Sequence, residues 1–179
     1  MRKESKKLKN RAKIWVIFIF SIILLNACQK GTEEPEIRIS SASDHLTPIS
    51  YGYLHNEEKE EIEERIRNYM VGNKFSELPS ISNSEIIEIE SLNFEADEFE
   101  VYDYILNEKG YIISEYDIDP VILSVGENGI VELPSQQNHN FGTYMDYAVD
   151  GKLIHCLLIR TKINNSYFAF ATLVLSDSN

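Results

Sequence analysis

From Leu78-Pro79 to the end of the chain, short apolar segments alternate with turn-forming residues about every eight to twelve positions. That rhythm belongs to antiparallel β domains. The segments are 85–92, 99–106, 111–116, 121–125, 130–133, 143–149, 153–161 and 167–175. Between them, Asn107-Glu-Lys-Gly110, Gly126-Glu-Asn-Gly129, Asp150-Gly151 and Asn164-Asn165 supply residues that tolerate positive φ, as tight hairpin turns require. The spacing predicts a mainly β domain, an antiparallel β-sandwich or barrel, with a meander over 85–175.

Two elements precede the meander. Ile37 and Ile39 alternate with Arg38 and Ser40, and a Ser-Ala-Ser-Asp turn cluster separates them from 46–53, which predicts a hairpin over 36–54. Asn56 is a good N-cap, Glu57 and Glu58 suit the first turn of a helix, and Gly72 suits its end. The helix expected over 57–70 carries Ile62, Ile66, Tyr69 and Met70 as a single apolar stripe, so it must lie on something apolar.

The first 27 residues have a different texture. Arg2, Lys3, Lys6, Lys7, Lys9, Arg11 and Lys13 face one acid, Glu4, and a twelve-residue apolar run from Ile14 to Leu25 follows. A hydrocarbon core needs about 20 residues of helix, so this run is short for a span and reads as the core of a secretory signal peptide. Its end, Leu25-Asn26-Ala27-Cys28, resembles the lipobox of bacterial lipoproteins. The resemblance implies a signal peptide over 1–27, lipidation of Cys28, and a polar tether over 28–35. It further implies attachment to a membrane through the lipid, on the outer face of the cell membrane or on the outer membrane of a diderm. A single domain, 36–179, would then be displayed outside the cytoplasm.

A second resemblance bears on the fold. Val131-Glu-Leu-Pro followed by Phe141-Gly-Thr-Tyr144-Met-Asp-Tyr-Ala148 resembles the approach to the penultimate strand of immunoglobulin-like domains. It implies an immunoglobulin-like sandwich with one amphipathic helix. The alternative is α+β: a helix packed on one curved antiparallel sheet, as in cystatin-like folds.

Charge and motif content exclude several functions. The 17 basic and 29 acidic residues become ten and 28 once 1–27 is set aside, a balance of −18 that repels nucleic acid. Two cysteines cannot build a disulfide framework or a four-cysteine zinc site. With no Gly-x-Ser-x-Gly elbow and no glycine-rich phosphate loop, neither a nucleotide nor any other cofactor is expected. His45, His55, His139 and His155 show no metal-ligand spacing, and no metal site is expected. The acids Glu85, Glu88, Glu90, Glu95, Asp97, Glu98, Glu100 and Asp103 run along strands rather than around one loop, which makes them a solvated face rather than a calcium site. Cys156 shares a strand face with Ile154 and Leu158, opposite His155, so that histidine cannot activate it.

No catalytic residue is therefore assigned. Tyr51 with Tyr53 and Tyr102 with Tyr104 are each spaced by two and so share a face, and His139 lies in a polar loop; these five form the candidate binding surface. The expected role is a non-catalytic binding or interaction module for an envelope protein or glycan. The alternatives are a small envelope hydrolase using carboxylates and His139, or a scaffold subunit of an envelope assembly.

Overall fold

The computed structural model describes residues 34–42, 44–53, 59–71, 75–82, 85–114, 119–135 and 141–177, and the compact unit they build is Pro35–Asn179. Ten strands and one α-helix are found among them. The strands are β1 (Ile37–Ser40), β2 (His45–Leu46), β3 (Ile49–Tyr53), β4 (Ser80–Ile81), β5 (Ile86–Ser91), β6 (Glu98–Leu106), β7 (Val121–Ser124), β8 (Ile130–Pro134), β9 (Lys152–Ile163) and β10 (Ser166–Asp177). The helix, α1, is Lys59–Met70.

The long hairpin β9–β10 is the centre of the molecule. Its strands pair over their full twelve residues, from Ser166↔Ile163 to Asp177↔Lys152. Asn164 and Asn165 close it with φ of 51° and 66°, the backbone that a two-residue hairpin turn demands and that asparagine tolerates. The large sheet grows outward from this pair in the order β3-β10-β9-β6-β7, with β4 running parallel to the far end of β10. The small sheet has the order β2-β1-β5-β8.

Alternation along the central strands gives the large sheet two apolar faces. Phe99, Val101, Leu157, Ile159, Phe168, Phe170 and Val174 meet Ile37, Ile39, Leu46, Ile87, Ile89, Val131 and Leu133 of the small sheet in one core. Tyr104, Leu106, Ile154, Cys156, Leu158, Leu173 and Leu175 meet Ile62 and Ile66 of α1 in the other. The protein is thus mostly β, with a second sheet on one face of the large sheet and a helix on the opposite face. Ile62 and Ile66 are buried and Tyr69 and Met70 half-buried, as the apolar stripe requires. The expected caps Asn56 and Gly72 lie outside the described residues.

Three expectations are corrected. The segment 111–116 is not a strand in its described part, 111–114, and makes only the bridge Leu106↔Ile112. Asn107 N donates to the Tyr111 carbonyl at 3.0 Å and Ile113 N to the Ile105 carbonyl at 2.9 Å around that bridge, while Ile112 N donates to Glu63 Oε1 on α1 at 3.0 Å and Ser114 Oγ accepts the Ile105 N–H at 3.1 Å. The segment 143–149 falls largely in a 3-10 helix, Phe141–Tyr147, so the stretch that resembled an immunoglobulin strand is not one. Finally, the hairpin over 36–54 ends at Ile39↔Leu46; Pro48 has no N–H to continue a ladder, and the next strand, β3, joins the large sheet beside β10.

The loop after β6 grips the helix. Asn107 Oδ1 accepts the N–H groups of Lys109 at 2.9 Å and Tyr111 at 3.1 Å, and the Arg67 guanidinium lies 4.8 Å over the Tyr111 ring. Gly110, with φ of +80°, closes this turn against α1; a Cβ there would sit 3.3 Å from Arg67 Cγ. Gly110→Ala should therefore destabilise the domain by about 1–2 kcal/mol through left-handed strain alone. Urea unfolding followed by tyrosine fluorescence measures it, and an unchanged midpoint would mean that the left-handed backbone at Gly110 imposes no strain on alanine.

Candidate functional site

Among the buried polar side chains on the face of the large sheet that meets the small one, Thr161 and Thr172 each donate to a backbone carbonyl, of Glu98 and Thr47, and three others form a group, each at a position where its strand alternation calls for an apolar residue. Asp103 follows Phe99 and Val101 on β6, His155 lies between Leu153 and Leu157 on β9, and Ser176 follows Phe168, Phe170 and Val174 on β10. Register brings them together. His155 is paired with Ile105 on one side and Val174 on the other, so Asp103 and Ser176 are its diagonal neighbours, two residues from each partner. Diagonal positions lie about 7–8 Å apart, within reach of an imidazole.

The three side chains form one hydrogen-bonded chain. His155 Nδ1 lies 2.7 Å from Asp103 Oδ1, and His155 Nε2 lies 2.6 Å from Ser176 Oγ. Their exposures are 9% for Asp103, 2% for His155 and 3% for Ser176. With Asp103 as a carboxylate, Nδ1–H donates to it, Nε2 is left as an acceptor, and the serine hydroxyl donates to Nε2. That is the order of roles in a serine nucleophile, its general base and the carboxylate that orients the base.

A cavity of about 60 Å³ reaches only one end of this chain. Asp103, His155, Val101, Val121 and Leu157 line it from the large sheet, and Ile87, Leu133, Pro134 and Ser135 from the small sheet and its exit, with Ile81 and Asp119 completing the wall. Ser176, paired opposite Leu153 rather than Leu157, does not line it. The cavity thus meets the acid and the imidazole, while Ser176, 3% exposed, is outside its lining although its β4 partner Ile81 is part of it.

The rim is tied down by short polar contacts. Ser135 Oγ donates to the Ser82 carbonyl at 2.8 Å, and Ser135 N donates to the Glu85 carbonyl at 3.0 Å. The Ser82 N–H donates to Glu85 Oε2 at 2.9 Å, and this bond holds the Glu85 carboxyl below its ordinary pKa.

The residues singled out from the sequence are scattered. Tyr51 and Tyr53 belong to β3, at the border of the large sheet. Tyr102 and Tyr104 share a face and stack with ring centroids 6.0 Å apart, but Tyr104 is core, 3% exposed, under the helix side of the sheet. Arg160 covers the neighbouring end of that face, 4.4 Å over the Tyr167 ring and hydrogen-bonded to Tyr102 Oη at 3.0 Å. His139, His55 and Cys28 lie outside the described residues. Cys156 is fully buried with Ile154 and Leu158, and burial pushes its thiol pKa up. Among the acids, Glu88 faces solvent and Glu90 pairs with Arg38 at 2.7 Å, whereas Asp103 points into the core and does not belong to a solvated face. Its parity with Phe99 and Val101 is the signal that identifies it. No group of His, Cys, Asp and Glu side chains suited to a metal ion is found among the described residues.

No protein-family model, curated protein or solved structure matches the chain.

Because Asp103 and Ser176 both act through His155, their substitutions should be coupled. Asp103→Ala leaves a buried imidazole N–H without its partner and should cost about 2–3 kcal/mol, and Ser176→Ala about 1 kcal/mol. The double variant should lose less than the sum in urea unfolding. Strict additivity would mean that the chain is not one unit.

Proposed function

We propose that this protein is a lipid-anchored extracytoplasmic lipoprotein whose β-sandwich domain is a non-catalytic binding module at the bacterial cell envelope. The single observation that carries the non-catalytic part is the placement of Ser176: the hydroxyl that would have to attack a substrate lies at the end of the polar chain away from the cavity. A nucleophile needs a reacting atom about 3 Å away, and Ser176 is 3% exposed and outside the cavity lining. In this reading Asp103, His155 and Ser176 fasten β6, β9 and β10 to one another and shape the inner wall of the cavity. The anchor rests on Leu25-Asn26-Ala27-Cys28 and the apolar run before it. Membrane attachment through lipid on Cys28 uses acyl burial of about 0.8 kcal/mol per CH₂, and the acidic domain carries no charge pattern for nucleic acid. The partner in this reading is an envelope protein or glycan.

The hydrolase reading is the second, and the order Asp103–His155–Ser176 is the observation that favours it. In that case Ser176 Oγ would attack a carbonyl carbon as its proton passes to His155 Nε2 and the carbonyl π pair moves to oxygen, and the tetrahedral adduct would then expel its leaving group with that proton.

Two measurements test the pair of readings. In a bacterium fed alkynyl palmitate, the full chain should label and partition into detergent, and Cys28→Ala should abolish the labelling; an unlabelled, detergent-independent protein would sink the anchor. A fluorophosphonate probe, which reports a serine able to displace fluoride from phosphorus, should leave the native protein unmodified. Labelling that is lost in Ser176→Ala would replace the binding module by the hydrolase.

A further inference from the structure

The cavity between the sheets has a hydrogen-bonding character of its own. Six of its lining residues, Ile81, Ile87, Val101, Val121, Leu133 and Leu157, are aliphatic. The polar side chains are Asp103 inside, Asp119 and Ser135 at the rim, and His155. Their protons are committed elsewhere. Ser135 Oγ donates to the Ser82 carbonyl, and both nitrogens of His155 are engaged by Asp103 and Ser176. What these groups offer the cavity is oxygen lone pairs: two carboxylates, each able to accept several hydrogen bonds, and one hydroxyl oxygen. No lysine or arginine is among the described residues that line the wall.

Such a site asks for an occupant that donates hydrogen bonds, carries positive charge and has an apolar stem. Water meets only the first requirement, because the aliphatic walls give it no partners and nothing there calls for its lone pairs. A primary ammonium on a short unbranched alkyl chain meets all three, with three N–H donors for the oxygens and methylenes for the aliphatic wall. Size agrees: if one water takes about 15 Å³ by this measure, 60 Å³ admits roughly four heavy atoms, three methylenes and a nitrogen.

We propose that the cavity is a binding site for a primary alkylammonium group, with Asp119 at the rim and Asp103 inside as its counter-charges. The proposal rests on the binding-module reading and gives that module a ligand class. Two sources carry this chemistry, a free alkylamine and the side chain of a lysine in a partner. A low local dielectric strengthens the charge pairing, and the acidic balance of the domain draws cations toward it.

The test is thermal unfolding of the full-length protein in detergent at constant ionic strength. Propylammonium chloride should raise the midpoint saturably. Propanol, which lacks the charge, and tetramethylammonium, which lacks the N–H donors, should not. Asp119→Asn, a rim substitution that leaves the core intact, should weaken the propylammonium effect roughly tenfold, as loss of one charge-assisted hydrogen bond implies. Nα-acetyl-lysine methylamide forms the second arm: a saturable shift there identifies a lysine side chain as a ligand, and a shift with propylammonium alone identifies a free amine. The proposal is overturned if no amine gives a saturable shift, if propanol or tetramethylammonium does as well, or if Asp119→Asn changes nothing. Failure without fluorophosphonate labelling removes the ligand class and leaves the module reading standing; failure with labelling at Ser176 removes both.

Discussion

Strands β9 and β10 are buried on both faces along nearly their whole length, and a sheet apolar on both faces has to be covered twice. The architecture follows from this. The small sheet covers one face and α1 covers part of the other, where the stacked Tyr102 and Tyr104 and the Arg160–Tyr167 pair continue the cover beyond the helix. The 107–113 loop belongs to the same solution, because it fastens the helix to the end of β6 through Glu63 and Gly110.

Double burial also explains why the polar residues of the central hairpin matter. A histidine in that environment has two ring nitrogens to satisfy and no solvent to satisfy them, and an unpaired buried polar group costs about 1–3 kcal/mol. Asp103 and Ser176 supply both partners from the strands on either side. The result is a polar crossing of three strands inside a mostly apolar interface, and a hydrogen-bonded chain of this kind fixes register more sharply than interchangeable aliphatic contacts do. Because the cavity opens at its Asp103 end, the same chain sets the chemistry of the pocket: the imidazole is used up internally, and lone pairs are what remain.

Much of this was legible in the sequence. Strands β5 to β10 fall within two residues of the segments marked by alternation and turn residues, the Asn164-Asn165 turn lies where it was expected, and Ile62 and Ile66 are the buried stripe of the one helix. Opposite facing of His155 and Cys156 follows from strand alternation alone. Two local misreadings have physical causes. The segment 143–149 reads as a strand, yet half-buried Tyr144 and Ala148 are four apart, a helical spacing, while Met145 and Tyr147 are exposed. Residues 111–114 carry strand-forming side chains and make one backbone bridge to β6, but the Ile112 and Ile105 N–H groups turn to Glu63 and Ser114 instead of extending it. The site was not legible, because it is made by register. Asp103, His155 and Ser176 are separated by 52 and 21 residues, and no local pattern states which rungs of three strands face one another. What one strand does show is an acid in phase with Phe99 and Val101, a buried-polar signal that the length of the surrounding acidic run obscured.

The central claim is that a buried imidazole donates from Nδ1 to Asp103 and turns its other nitrogen to Ser176. Long-range ¹H–¹⁵N correlation spectra of the ring, assigned by comparison with His155→Gln, read the proton positions directly. The account predicts a protonated Nδ1 whose hydrogen exchanges slowly and resonates far downfield. A ring bearing its only proton on Nε2, or an Nδ1 proton in fast exchange with solvent, would contradict it.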